Sequence, residues 1–217
     1  MRLTLKRHPQ HLALPLLLAA GLLSAPAAYG GAQVYSPLSA SVRTLLQQSI
    51  SDQAAPRLVF KSEPEGQAWL AEMSRRLEKH MPDEQERRNF LISVQYEAAR
   101  AGLDPQMVLG LIEVESRFHK YAVSRAGARG YMQVMPFWVK QIGSQGQNLF
   151  HLRTNLRYGC TILRHYLDIE KGNLTRALAR YNGSLGKREY PTRVKYAWQK
   201  HWSLPSKMAV VEGGAAG

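Results

Sequence analysis

Residues 104–116 read Asp104-Pro105-Gln106-Met107-Val108-Leu109-Gly110-Leu111-Ile112-Glu113-Val114-Glu115-Ser116. Asp104 followed by Pro105 is a helix start. The Asp carboxylate accepts from the free amides of the first turn, and Pro has the φ of the first helical position and no N–H to leave unbonded. Val108, Leu111, Ile112 and Glu115 are spaced i, i+3, i+4, i+7, so a carboxyl group shares the face that a helix buries. Glu113 points the opposite way. Burial disfavours a charged carboxylate and raises its pKa, and the negative end of the helix, close to Glu115, acts in the same direction. Spacing alone leaves two readings of Glu115. It is a protonated acid poised for general-acid chemistry, or it sits at the edge of the stripe and reaches solvent or an arginine.

The helical pattern continues on both sides. Upstream, Trp69, Leu70, Met73 and Leu77 form one apolar face closed by Pro82, and Phe90, Leu91, Val94 and Ala98 form the next, ended by Gly102 as a left-handed cap. Downstream, helices are expected over Pro136 to Ile142, Asn155 to Lys171, Leu174 to Asn182 and Pro191 to Trp202. No period-2 run of useful length interrupts them, so the expected class is all-α. The expected organisation is a signal peptide over 1–30, a linker or loosely packed extension over 31–65, a helical domain over 66–202 and a disordered tail over 203–217. Within the extension only the stretch Val42 to Leu46 suggests a short helix.

Polar groups that could act on a ligand follow the 104–116 helix. Gly127 and Gly130 make a turn, and Tyr131-Met132-Gln133-Val134-Met135-Pro136 follows it. Glycine turns bring backbone polar groups close to a ligand. Gln133 has a donor and an acceptor, which suits an N-acetyl amide. Met132 and Met135 are adaptable apolar surface or simply core. Leu174, Ala177, Leu178 and Tyr181 repeat the i, i+3, i+4, i+7 spacing, so Tyr181 is inward-facing. Its hydroxyl needs a partner, either a backbone carbonyl or Glu115. Cys160 lies in the apolar stripe Leu156, Cys160, Leu163, Leu167, which reads as a small buried residue rather than a nucleophile. The seven His residues show no ligand spacing such as HExxH, so no metal or other cofactor is expected.

Glu115-Ser116, then Gly130 through Pro136, then Tyr181-Asn182 resemble the three signatures of the soluble lytic transglycosylase family, of the goose-lysozyme-like superfamily, which read ES, GLMQ-M-P and AYNAG in typical members. Asn155 with Gly159, and Tyr190 to Val194, match further. The resemblance covers residues 90 to 202. It implies a lysozyme-like helical domain with a glycan-binding groove. It also implies cleavage of the β-1,4 bond between N-acetylmuramic acid and N-acetylglucosamine in peptidoglycan. Carried over by position, Glu115 is the single catalytic acid and then base. Ser124 contacts substrate; Gly130, Met132, Gln133, Met135 and Tyr190 belong to the substrate-binding surface. Tyr181 orients the glutamate, Asn182 supports that corner, and Ser116 belongs to the motif. The chain departs from the pattern at Tyr131, where Leu is usual, and at Arg180, Gly183 and Ser184, which replace the two Ala and the Gly of AYNAG. Pro191 replaces a Val, and Gly186 stands where an acidic residue is common.

A two-carboxylate glycosidase holds its second acid ~5–9.5 Å from the first. No such residue is evident: Glu113 faces away, and Asp104 is about 16 Å back along the helix. A lone carboxyl suits formation of a 1,6-anhydro sugar without water. A lysozyme-type muramidase, or a non-catalytic peptidoglycan-binding protein on the same fold, are the alternatives.

The start of the chain has Arg2, Lys6 and Arg7, then an apolar run from Leu12 to Leu23, then small residues to Gly31. That order is a secretory signal peptide. The run is about twelve residues against the ~20 that span a bilayer, so no transmembrane segment is expected after cleavage. The only cysteine is Cys160, so the segment carries no lipidation site, and the expected location is the periplasm. Of the net +13, three positives sit in this segment and +10 remains. Such a charge attracts polyanions. Export points to anionic envelope polymers rather than nucleic acid. Peptidoglycan glycan strands, with cell-envelope machinery beside them, are the expected partners.

Overall fold

The structure is a computed structural model and describes residues 32–51, 53–144 and 146–204. The readings of 1–30 as a signal peptide and of the chain's end as a disordered tail lie almost wholly outside these residues. Eight α-helices are described: α1 (Ala40–Ser51), α2 (Glu63–Leu77), α3 (Glu84–Arg100), α4 (Pro105–Ser116), α5 (Phe137–Ile142), α6 (Leu152–Ile169), α7 (Leu174–Tyr181) and α8 (Glu189–Ala197). A π-helical turn, Trp198–Trp202, continues α8. Among the described residues there are only isolated β-bridges, Val123 to Arg129 and Arg129 to Val134, so the fold class is all-α. No helix among them is long and apolar enough to cross a membrane.

The helix starts follow local chemistry. Asp104 Oδ1 accepts from the amides of Gln106 (2.7 Å) and Met107 (3.1 Å), and Asp83 and Asn173 cap α3 and α7 in the same way. Such a cap contributes about 1 kcal/mol.

The core is one apolar cluster in which α4 is central. Val108, Leu109, Leu111 and Ile112 are all fully buried. Helix α4 packs on α3, on α8 and on the π-turn. A Cβ on Gly110 would lie 2.7 Å from the Trp198 backbone nitrogen, so α4 and the end of α8 meet at backbone contact. Glu113 is held on the outer side of α4 by Trp202 Nε1 (2.6 Å) and His201 Nδ1 (2.8 Å). Its side chain therefore points away from Glu115, as the spacing implies.

The extension read as a linker or loosely packed carries more structure than the Val42–Leu46 stretch suggests. Leu38, Val42, Leu46 and Ile50 recur every fourth residue, and that stripe lies against the core, with Leu46 and Ile50 buried. Helix α1 rests on α5 and α6. Arg157 of α6 ties it down by donating to the Ile50 carbonyl (3.2 Å) and pairing with Glu97 of α3 (3.1 Å).

Candidate active site

Glu115 lies in the last turn of α4 and is 1% exposed. Its Oε1 accepts a hydrogen bond from the Tyr190 hydroxyl at 2.5 Å, while Oε2 is buried with no hydrogen-bond partner. Burial pushes the carboxyl up to about 8; the Tyr190 hydrogen bond and the nearby Arg193 charge hold it back from rising further. Of the two readings of its position, the structure has the buried, largely protonated acid. The charge that bears on it is the cation of Arg193.

The partner of Tyr181 is the backbone carbonyl of Met132, at 2.8 Å. The expectation that Tyr181 orients the glutamate is therefore corrected: Tyr190 reaches Glu115. Both tyrosines are buried beside that carboxyl, and both hydroxyls are driven well above their ordinary range, chiefly by burial and next by Glu115. They stay protonated and donate. Tyr190, Val194 and Ala197 share the buried face of α8, the same stripe logic that turns Tyr181 inward, so a signal for Tyr190 exists in the spacing.

The loop after α4 is shaped by Asn155 of α6. Its Oδ1 accepts from the Met132 amide (2.8 Å), and its Nδ2 donates to the carbonyls of Arg129 and Leu149 (2.8 Å each). Gly130 passes so close that an added Cβ would lie 2.4 Å from Asn155 Nδ2, and its φ is +76°. Only glycine fits there. Met132 is fully buried, and Gly159 lacks the Cβ that would meet its sulfur at 2.3 Å. Its side chain is core; what it presents toward the site is the carbonyl that fixes Tyr181. Cys160 packs beside it, 1% exposed, with its thiol raised by burial.

Gln133 adopts a left-handed φ of 50°, a conformation costing a non-glycine residue roughly 1–3 kcal/mol. Its side-chain amide donates to the carbonyls of Gly130 (2.9 Å) and Ala122 (3.1 Å), so it knits the loop, and its Oε1 is buried without a partner. Ser124 is buried, and its Oγ accepts from the Ala128 amide (3.1 Å). Ser116 spends its hydroxyl on the Ile112 carbonyl within α4 (3.2 Å). Met135 is half-buried. Asn182 caps α7 with its Nδ2 buried and unpartnered.

The structure thus brings Glu115, Tyr190 and Tyr181 together, with the 122–135 loop joined to Tyr181 through the Met132 carbonyl. Polar atoms of Glu115, Gln133 and Asn182 are left unsatisfied. Most buried polar atoms in folded proteins are hydrogen-bonded, so three such atoms in one region single it out as a candidate site. Among the described residues no three His, Cys, Asp or Glu side chains converge as a metal site would need. Spacing did not single out Gln33, which is 3% exposed. Its Nε2 donates to the Gln133 carbonyl (3.0 Å) and its Oε1 accepts from the Met135 amide (2.8 Å).

Residues 92–201 match the family model described as the transglycosylase SLT domain. The chain is 32% identical over 98 residues to a transglycosylase of Enterobacteria phage PRD1, an alignment covering 45% of this chain and 36% of that protein. It is 51% identical over 49 residues to membrane-bound lytic murein transglycosylase C of Actinobacillus pleuropneumoniae serotype 5b (strain L20), covering 23% of this chain and 13% of that one. A solved lytic transglycosylase Slt from Pseudomonas aeruginosa aligns with a TM-score of 0.39 at 18% identity, over 76% of this chain and 38% of that chain. The chain spans well under half the length of these relatives.

Proposed function

Because this chain belongs to the transglycosylase SLT domain family, we propose that it is a peptidoglycan lytic transglycosylase. In this reading it cleaves the β-1,4 bond between N-acetylmuramic acid and N-acetylglucosamine with Glu115 as its one catalytic carboxyl. The observation that carries the reading is the state of Glu115: buried, held by Tyr190 through one oxygen, bare at the other, and raised to about 8. A carboxyl still protonated near neutral pH can act as a general acid.

The chemistry follows from that state. Glu115 donates its proton to the bridging oxygen, the C1–O bond breaks, and N-acetylglucosamine leaves with its 4-hydroxyl restored. The Glu115 carboxylate, steadied by the Tyr190 hydroxyl, then takes the proton of the muramic 6-hydroxyl as that oxygen bonds to C1. The product is a 1,6-anhydro ring, and Glu115 ends the cycle protonated as it began. No water is consumed and no second carboxylate is required. The acetamido groups of the glycan suit the donor–acceptor pair formed by the Met135 amide and Gln133 carbonyl. Ser124, Gly130 and Asn182 complete that surface, and the basic-apolar-small order of residues 1–30 supports export to the periplasm.

The test is mass analysis of fragments released from purified peptidoglycan by the protein and by Glu115→Gln. Muropeptides ending in anhydro-muramic acid, absent with the variant, are expected. Fragments one water heavier would make it a muramidase. Binding without fragments would leave a non-catalytic glycan-binding protein.

A further inference from the structure

The Gln33 carboxamide and an N-acetyl group are both planar amides offering a C=O acceptor and an N–H donor, two N–H in the glutamine and one in the acetamido. Gln33 places that pair on the Met135 amide and the Gln133 carbonyl, the two backbone groups that the functional reading assigns to a glycan acetamido. We infer that residues 32–36 are an autoinhibitory strap, with Gln33 occupying the acetamido position until substrate displaces it. This inference rests on the transglycosylase reading of the same site.

Three further observations support it. First, the strap is anchored beside the site as well as within it: Gln141 Nε2 donates to the Ser36 carbonyl (2.9 Å), and the Tyr35 ring meets Phe137 edge-on at 5.5 Å. Second, its path is built into the motif. A Cβ on Gly183 would lie 2.0 Å from the Ala32 carbonyl oxygen, and Gly183 stands where the AYNAG signature has Ala. Gly183, one of the residues that depart from the pattern, is where the strap crosses. Third, the site is shut. Glu115, Gln133 and Tyr190 are 1%, 0% and 4% exposed, although a polymeric glycan must reach them. Gln33 has no such fixed need. It lies ahead of α1, which begins at Ala40, so a shift of Ala32 to Tyr35 gives up the Tyr35–Phe137 contact but leaves the α1 helix in place.

The experiment compares the full chain with Gln33→Ala and with Gln141→Ala, which loosens the strap from outside the site. Two quantities are read: affinity for the N-acetylglucosamine tetramer by calorimetry, and the initial rate of fragment release from peptidoglycan, with melting curves confirming folded proteins. Losing two ordinary hydrogen bonds from the closed state should tighten tetramer binding and raise the rate roughly tenfold in Gln33→Ala. A smaller gain in the same direction is expected for Gln141→Ala. Unchanged or weaker binding in both folded variants overturns the strap, even if peptidoglycan is still cut. Tighter binding in both, with no cutting by any of the three proteins, supports the strap and overturns the catalytic reading.

Discussion

The Tyr190 hydroxyl donates to Glu115 Oε1 at 2.5 Å, while the Tyr181 hydroxyl, equally buried, donates to the Met132 carbonyl at 2.8 Å. The two tyrosines therefore have separable roles. Tyr190→Phe removes a bond that favours the ionised carboxylate, so the Glu115 pKa rises and the alkaline limb of the pH–rate profile moves to higher pH. The rate of fragment release should fall roughly 10- to 100-fold, the scale set by a misplaced catalytic group. Tyr181→Phe should leave the alkaline limb in place and act through the loop that carries Met132. Equal shifts of the limb in both variants would contradict this division.

Glu115 also makes stability depend on pH. Its folded-state pKa, about 8, exceeds the ordinary 4.5, so the folded protein binds a proton that the unfolded chain releases. The stabilisation is complete below about 4.5 and is lost as pH rises through about 8. Glu115→Gln has no proton to lose. Its melting temperature relative to the parent should climb between pH 5 and pH 9, by roughly 5 °C or more. A constant difference across that range would mean that Glu115 is not buried in solution.

Much of the fold is legible in the sequence because its signals are local. Asp104-Pro105 announces α4, and the four-residue stripes announce which faces are buried. The same stripes leave partners undetermined. They turn Tyr181 inward but do not say whether its hydroxyl meets Met132 or Glu115, since that depends on how α7 and α8 settle on α4. Gln33 is less legible still: its partners lie 100 and 102 positions away, and a glutamine in a mixed segment carries no periodic signal. In α1 the stripe was present but spread over residues of weak pattern, so a packed helix resembled a linker.

Asn155 makes three hydrogen bonds that together define the 129–132 turn. Asn155→Ala leaves the Leu149 carbonyl and the Met132 amide in a closed interior without partners, while the Arg129 carbonyl keeps the Val134 amide at 3.0 Å. The expected loss is ~2–4 kcal/mol, measured by denaturant titration. Because Met132 carries the carbonyl that fixes Tyr181, fragment release should fall further than the stability loss accounts for. Asn155→Asp keeps the acceptor for Met132 but turns a carboxyl oxygen toward two carbonyl oxygens in a buried site, and should destabilise at least as much as alanine.

Gly110 tests how Tyr190 is delivered to Glu115. A Cβ there would meet backbone atoms of Trp198 at 2.7 and 2.9 Å, and backbone cannot rotate aside as a side-chain tip can. Gly110→Ala must push the end of α8 away from α4, at a cost of about 1–3 kcal/mol for overpacking. Tyr190 lies two turns back along α8, so its 2.5 Å bond to Glu115 should lengthen as the helix tilts. The variant should therefore stay folded but resemble Tyr190→Phe in its pH–rate profile, with the alkaline limb displaced upward. Combining the two changes should then add little to the activity loss of Tyr190→Phe alone, because each acts on the same hydrogen bond. Fully additive losses would show that Gly110 supports the fold without positioning the tyrosine.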